Sequence, residues 1–136
     1  MVYEKSYGII PLKQVRGEWQ VFVILHKNGF HWGFPKGKAD EGENPLTSAT
    51  RELKEETGLE VEKILRDSPI VEQYVFMRRG ERIKKEVSYF PAIVSGALLL
   101  QPEEIADGKW VNVGEAFDLL TFKEARDVLS KVAEQL

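Results

Sequence analysis

The chain of 136 residues contains no cysteine and only two histidines. The lack of cysteine excludes disulfides, thiolate zinc sites, iron–sulfur clusters and a thiol nucleophile, and fits a reducing compartment. Long apolar runs are missing as well. Val21–Leu25 and Ala97–Leu100 are far too short to span a bilayer. Met1-Val2-Tyr3-Glu4-Lys5 lacks the pattern of a signal peptide. Nor is there an excess of one charge: 19 basic and 22 acidic residues leave a net −3, without the basic surplus of a dedicated nucleic-acid binder. No internal repeat, low-complexity tract or Pro/Gly/Ser-rich linker divides the chain. What remains is 43% hydrophobic and 30% charged, the composition of an ordinary globular protein. The expectation is a single domain over residues 1–136, cytoplasmic, monomeric or homodimeric.

The chain alternates between β-rich and helical stretches. Tyr7–Leu12 and Trp19–Leu25 are β-rich and split by Val15-Arg16-Gly17-Glu18, a hairpin signal. Gly29–Gly42 is a long turn-rich loop containing Pro35-Lys36-Gly37-Lys38. Loops of this length inside compact domains are usually functional. Asn44 is a good N-cap, Pro45 suits the first helical position, and Gly58 marks a helix end. Between them Leu46, Ala49 and Leu53 recur at three- and four-residue intervals, an apolar stripe for a core. Leu59–Val75 reads as extended. Val71–Met77 and Ile83–Val94 flank Arg78-Arg79-Gly80-Glu81, a second hairpin. Lys109–Val113 reads as a short strand, and Gly114–Leu120 and Phe122–Leu136 as helices. Strands interspersed with a few helices imply an α/β (α+β) fold with a mixed sheet covered by helices.

The most informative segment is the first helix with its preceding loop. Glu52, Glu55 and Glu56 stand at i, i+3 and i+4, on one helix face, where like charges repel. A divalent cation among them would remove that penalty. An all-oxygen donor set favours magnesium or manganese over zinc, and magnesium typically bridges carboxylates to substrate phosphates. Taken alone, Glu-x-x-Glu-Glu is more simply a solvated face neutralised by Arg51 and Lys54.

The full string is more specific. Gly37 is followed after five residues by Glu43, and after seven more by Arg51-Glu52-Leu53-Lys54-Glu55-Glu56-Thr57-Gly58-Leu59. This resembles the Nudix box of the Nudix hydrolases at every fixed position. The resemblance implies the Nudix fold, an α/β/α sandwich with a mixed central sheet. It implies Mg2+, or Mn2+, held by Glu52, Glu55 and Glu56. Arg51 would orient one carboxylate, Glu43 would support the loop, and Gly37 and Gly58 would permit tight backbone geometry. The implied chemistry is attack of water on a phosphorus of a diphosphate linkage, with Glu55 or Glu56 free to serve as general base instead of ligand.

The neighbouring residues bear on the substrate. His31-Trp32-Gly33-Phe34-Pro35-Lys36-Gly37 resembles the approach to the box in asymmetrically cleaving diadenosine tetraphosphate hydrolases. There the positions of His31 and Lys36 contact the phosphate chain, while Trp32 and Phe34 read as loop anchors. Lys85, in Lys85-Glu86-Val87-Ser88-Tyr89-Phe90, falls at a phosphate-binding lysine of the same enzymes. Tyr74 and Phe122 match an aromatic pair that sandwiches adenine, although core packing is the ordinary fate of such rings. Glu104 lies six positions before Trp110, where the family often places a further metal ligand or base, with Glu103 as the fallback. Arg78, Arg79, Arg82 and Lys84 read as a solvated hairpin. The expectation is a hydrolase acting on acid anhydrides in phosphorus-containing compounds, most simply diadenosine tetraphosphate to ATP and AMP. The alternatives are a MutT-like nucleoside triphosphate pyrophosphohydrolase, an RNA 5′-pyrophosphohydrolase with capped or triphosphorylated RNA as its one nucleic-acid partner, and a non-catalytic nucleotide-binding module. No membrane partner is expected.

Overall fold

The computed structural model describes residues 1–136. Eight strands form one sheet: β1 (Val2–Val15), β2 (Glu18–His26), β3 (His31–Gly33), β4 (Lys36–Gly37), β5 (Glu60–Ile64), β6 (Ile70–Arg78), β7 (Glu81–Ser95) and β8 (Ile105–Asn112). Three helices complete it: α1 (Pro45–Thr57), α2 (Val113–Leu119) and α3 (Lys123–Ala133). The main path through the sheet runs β3-β2-β1-β7-β5, with β4 on β1, β6 on β7 and β8 on β2. β1 and β7 run parallel, from Val2 opposite Ile83 to Leu12 opposite Ile93, and the other pairings are antiparallel. The sheet is therefore mixed. No helix is long and apolar enough to cross a membrane.

The period-two alternation of the central strands builds a core on each face. Ile9, Phe22, Ile24, Phe90 and Ala92 point to one side and pack with Ala49 and Leu53 of α1. Their neighbours Ile10, Val21, Val23, Val87 and Tyr89 point to the other and pack with Ala116 of α2 and Val128, Leu129 and Val132 of α3. Helices on both faces of one sheet make an α/β/α sandwich.

Local chemistry sets the boundaries. Asn44 Oδ1 accepts from Thr47 N at 2.9 Å, Pro45 opens α1, and Gly58 closes it with φ 82°. Both hairpins turn on Arg-Gly pairs with positive φ, Arg16-Gly17 and Arg79-Gly80, the conformation that matches the twist of paired strands.

Several elements differ from the sequence reading. β1 begins at Val2 rather than Tyr7, because Val2–Ser6 pair with Ile83–Val87 across the parallel ladder. The turn-rich stretch 29–42 contains β3 and β4, short strands held by β2 and β1. Residues 59–75 are two strands with a break between Ile64 and Ile70, since β5 and β6 pair with different parts of β7. β8 starts at Ile105 rather than Lys109, and Val113 already belongs to α2.

Candidate active site

Loop 37–43 and the C-terminal half of α1 are tied together by Arg51. Its Nε and Nη2 donate to the two oxygens of Glu43 at 2.8 and 3.1 Å. Nη1 donates to Glu52 at 3.1 Å and to Glu55 at 3.0 and 3.1 Å, and Nη2 also reaches the Lys38 carbonyl at 2.9 Å. Glu43 in turn accepts from Asp40 N at 2.7 Å and Ser48 Oγ at 2.9 Å. These donors, the Arg51 guanidinium foremost, hold the Glu43 carboxyl down at about 2. Bidentate guanidinium–carboxylate geometry fixes orientation as well as charge.

The three helix glutamates occupy graded environments. Glu56 follows Ala49 and Leu53 on the core-facing stripe and is only 4% exposed, with Oε1 accepting from Lys36 N at 3.0 Å. Glu52 is half-buried, and the Glu55 side chain is 56% exposed. Burial, then repulsion from Glu52, pushes Glu56 up to about 8. Burial also raises Glu52, with Arg51 opposing and Glu55 and Glu104 adding to the rise. Glu104 comes from the exposed loop before β8, held by Glu104 N to Gln101 Oε1 at 2.9 Å. Its charge reaches both Glu52 and Glu56. Gly37 makes room for this arrangement: a Cβ there would lie 2.1 Å from Glu52 Cδ.

The side chains do not form a closed metal cage, and no three acidic or histidine groups converge on one point. Arg51 engages Glu52 and Glu55, whereas Glu56 turns to the Lys36 backbone. The donor set nonetheless suits a hard dication: carboxylate oxygens that repel one another, without a thiolate or imidazole among them.

A cleft of about 590 Å³ has no residue of α1 in its lining and meets the helix through Lys36. Lys36 belongs to both places, its N–H on Glu56 and its side chain lining the cleft with Lys85. Burial, then the Lys36 charge, lowers Lys85 to about 8. Tyr74 pairs with Lys85 in the β6–β7 register, so the two side chains stand side by side in the cleft. Phe122, 51% exposed, lines it from the start of α3. Its position follows from Thr121, which exchanges hydrogen bonds with the Trp32 backbone, Trp32 N to Thr121 Oγ1 at 2.8 Å and Thr121 N to Trp32 O at 3.3 Å. This clasp brings the Phe122 ring to 5.1 Å from that of His31. His31 stacks in turn on His26, centroids 4.6 Å apart at 18°. Burial, then the Lys36 charge, lowers the His31 pKa below its ordinary value. Phe34 is buried in the core and Trp32 packs against it.

The sequence reading did not single out His26, Glu72, Phe76 or Glu124, all of which line the cleft, and it gave Arg78, which lines it too, to a solvated hairpin. His26 Nε2 is buried without a hydrogen-bond partner, and burial takes its pKa down to about 3. Alternation along β6 was the available signal for Glu72, Phe76 and Arg78, because they share a strand face with Tyr74. Glu103 is exposed, with Glu104 rather than Glu103 carrying charge to the helix glutamates.

Comparison with known proteins places this geometry in a family context. The profile described as NUDIX domain matches residues 3–132. The asymmetrical bis(5′-nucleosyl)-tetraphosphatase of Mus musculus is 32% identical over 114 residues, covering 81% of this chain and 76% of that protein. The MutT4 protein of Mycobacterium tuberculosis is 32% identical over 142 residues, and the chain spans 99% of itself but 56% of that longer protein. Among solved structures, a C. elegans Ap4A hydrolase binary complex superposes with a TM-score of 0.74 at 21% identity, over 96% of each chain.

Proposed function

The chain belongs to the NUDIX domain family and is a hydrolase of nucleoside polyphosphates, and on that premise we propose that its substrate is a dinucleoside tetraphosphate. The products are a nucleoside triphosphate and a monophosphate, ATP and AMP when the substrate is diadenosine tetraphosphate. The observation that carries this reading is the single cleft in which Lys36 and Lys85 lie beside Tyr74 and Phe122, contiguous through Lys36 with the glutamate helix. A polyphosphate needs the cations and a base needs the rings. Stacking on aromatic side chains is worth roughly 1–3 kcal/mol per base.

The residues divide the work as follows. Glu52, Glu55 and Glu56 would hold a divalent ion, Mg2+ or Mn2+. Such an ion neutralises phosphate oxygens and makes bound water more acidic. Arg51 fixes Glu52 and Glu55 and, through Glu43, anchors the loop that follows Lys36 and β4. Lys36 and Lys85 take the phosphate chain and resist its charge repulsion. His31 donates a hydrogen bond to a phosphate oxygen. Water adds to phosphorus and the bond to the bridging oxygen breaks, with the departing nucleotide taking the electron pair. Glu104, which makes no ion pair, accepts the proton of the attacking water, and Glu55 is the second carboxylate available for that role. Tyr74 and Phe122 hold one base.

Chromatographic analysis of the products of diadenosine tetraphosphate with Mg2+ tests this reading. The expected pair is ATP and AMP. Two molecules of ADP as the main product would contradict asymmetric cleavage. Faster turnover of nucleoside triphosphates or triphosphorylated RNA would transfer the same chemistry to one of those substrates.

A further inference from the structure

Strand β6 sends Ile70, Glu72, Tyr74, Phe76 and Arg78 to one face, graded from core to rim. Ile70 is 3% exposed and Glu72 only 9%, whereas Arg78 is exposed. A carboxyl therefore lies at the inner end of the cleft, two residues from the Tyr74 ring, where an apolar side chain would have continued the core. It makes no salt bridge. Its one hydrogen-bond partner is Tyr89, whose hydroxyl donates to Oε1 at 3.3 Å, long beside the usual 2.7–2.8 Å of such bonds. Oε2 has no protein donor and is not sealed from solvent, and Glu72 lines the cleft. Burying a carboxyl with so little compensation is costly, and ligand N–H groups arriving at Oε2 would supply what the fold leaves out. Glu124, two residues after Phe122, lines the same cleft. Each ring proposed to hold the base thus has a carboxyl two positions away.

We propose that Glu72 reads the base: its carboxyl accepts from the exocyclic amino group of a purine lying on Tyr74, so that adenine and guanine nucleotides are preferred over bases whose edge presents only acceptors. The inference rests on the reading of Tyr74 and Phe122 as the base site. Adenine offers its N6 amino group, and guanine its N2 amino group together with N1–H. Unsubstituted purine has the same stacking area but no donor on that edge, so with it Glu72 stays unpaired.

The test compares kcat/KM for diadenosine, diguanosine and bis(purine riboside) tetraphosphates in the wild type, Glu72→Gln and Glu72→Leu. The wild type should favour the amino purines by about tenfold, mainly through KM, the scale set by one unpaired buried acceptor. Glu72→Gln keeps the shape and an oxygen for Tyr89 but turns an amide N–H2 toward the base. It should bring the ratio to about one or invert it, because purine N1 then gains a donor. Glu72→Leu should abolish the discrimination, bringing the three substrates to the same kcat/KM. Equal kcat/KM for all three substrates in the wild type, or an unaltered ratio in folded Glu72→Gln, would overturn the proposal. Diguanosine above diadenosine supports it with guanine as the base, and the reverse order supports it with adenine. The corresponding nucleoside triphosphates separate this claim from the substrate reading. A base preference kept on triphosphates without dinucleotide turnover defeats only the dinucleotide assignment. Dinucleotide turnover without base preference defeats only the role of Glu72.

Discussion

Gly37→Ala adds one methyl group at the most crowded point of the site. The new carbon would lie 2.1 Å from Glu52 Cδ and 2.3 Å from each carboxylate oxygen. Non-bonded carbons settle at roughly 3.5–4.0 Å, so the carboxylate must retreat by more than about 1 Å. It cannot do so freely, because the Glu52 side chain is only 14% exposed and accepts from Arg51 Nη1 at 3.1 Å. Gly37 is not among the glycines with positive φ, so alanine costs little in backbone strain. The damage should fall on chemistry more than on folding. We expect kcat to drop about a hundredfold, the scale of a 1 Å misplacement in an active site, with a stability loss of about 1–3 kcal/mol from overpacking. Gly42→Ala is the control. A Cβ there meets nothing within 4 Å, but φ is +81°, so it should cost about 1–2 kcal/mol of stability and leave kcat within about twofold of wild type. Steady-state hydrolysis at saturating Mg2+ and thermal melts read both quantities. Wild-type kcat in Gly37→Ala would refute the claim that the position of Glu52 matters to the reaction.

Three further outcomes are expected. Arg51→Leu severs the tie among Glu43, Glu52 and Glu55 and should lower kcat/KM about 10–100-fold, the usual effect of losing a group that orients metal-binding side chains. Unchanged kinetics would mean that the hub is ornamental. Lys85 has a folded-state pKa near 8 against an ordinary 10.5, so it loses its charge as pH rises through about 8, and KM should climb above that pH in the wild type but not in Lys85→Met. The unfolded chain holds the proton more tightly, so the cost of a charged, buried Lys85 is present below about 8 and fades toward 10.5. Substrate-free stability should accordingly gain from this group over that window, as denaturant titrations of wild type and Lys85→Met would show by difference. Leu53→Ala, at a position fully buried beneath α1, should cost about 2–5 kcal/mol in the same titrations.

The part of the molecule legible in the sequence is the part governed by local rules. The α1 boundaries follow from Asn44, Pro45 and Gly58, each acting within a few residues. The two Arg-Gly turns are equally local. Spacing along a helix brings Arg51 within reach of Glu52 and Glu55, but it does not reveal that Glu56 is buried and Glu55 exposed. That difference comes from where the sheet lies under α1. The extension of β1 back to Val2 depends on a partner about 80 residues away, and Val2–Ser6 carry too few apolar residues to announce it. The aromatic wall is non-local in the same way. Phe122 meets His31 only because Thr121 clasps Trp32. Glu72 was hidden because an acidic residue in an alternating strand ordinarily faces solvent, whereas here the Glu72 face of β6 lines the cleft and Val71, Val75 and Met77 are exposed.

The central claim is that these carboxylates hold a divalent ion against a polyphosphate. Titration calorimetry with Mn2+, in the presence of a non-hydrolysable methylene-bridged diadenosine tetraphosphate, tests it in the wild type and in Glu56→Gln, which keeps the acceptor for Lys36 N–H but cannot ionise to meet a cation. The account predicts saturable binding to the wild type and at least about tenfold weaker binding to the variant. Equal affinity in the two, or no Mn2+ uptake by the wild type with the analogue bound, would contradict it.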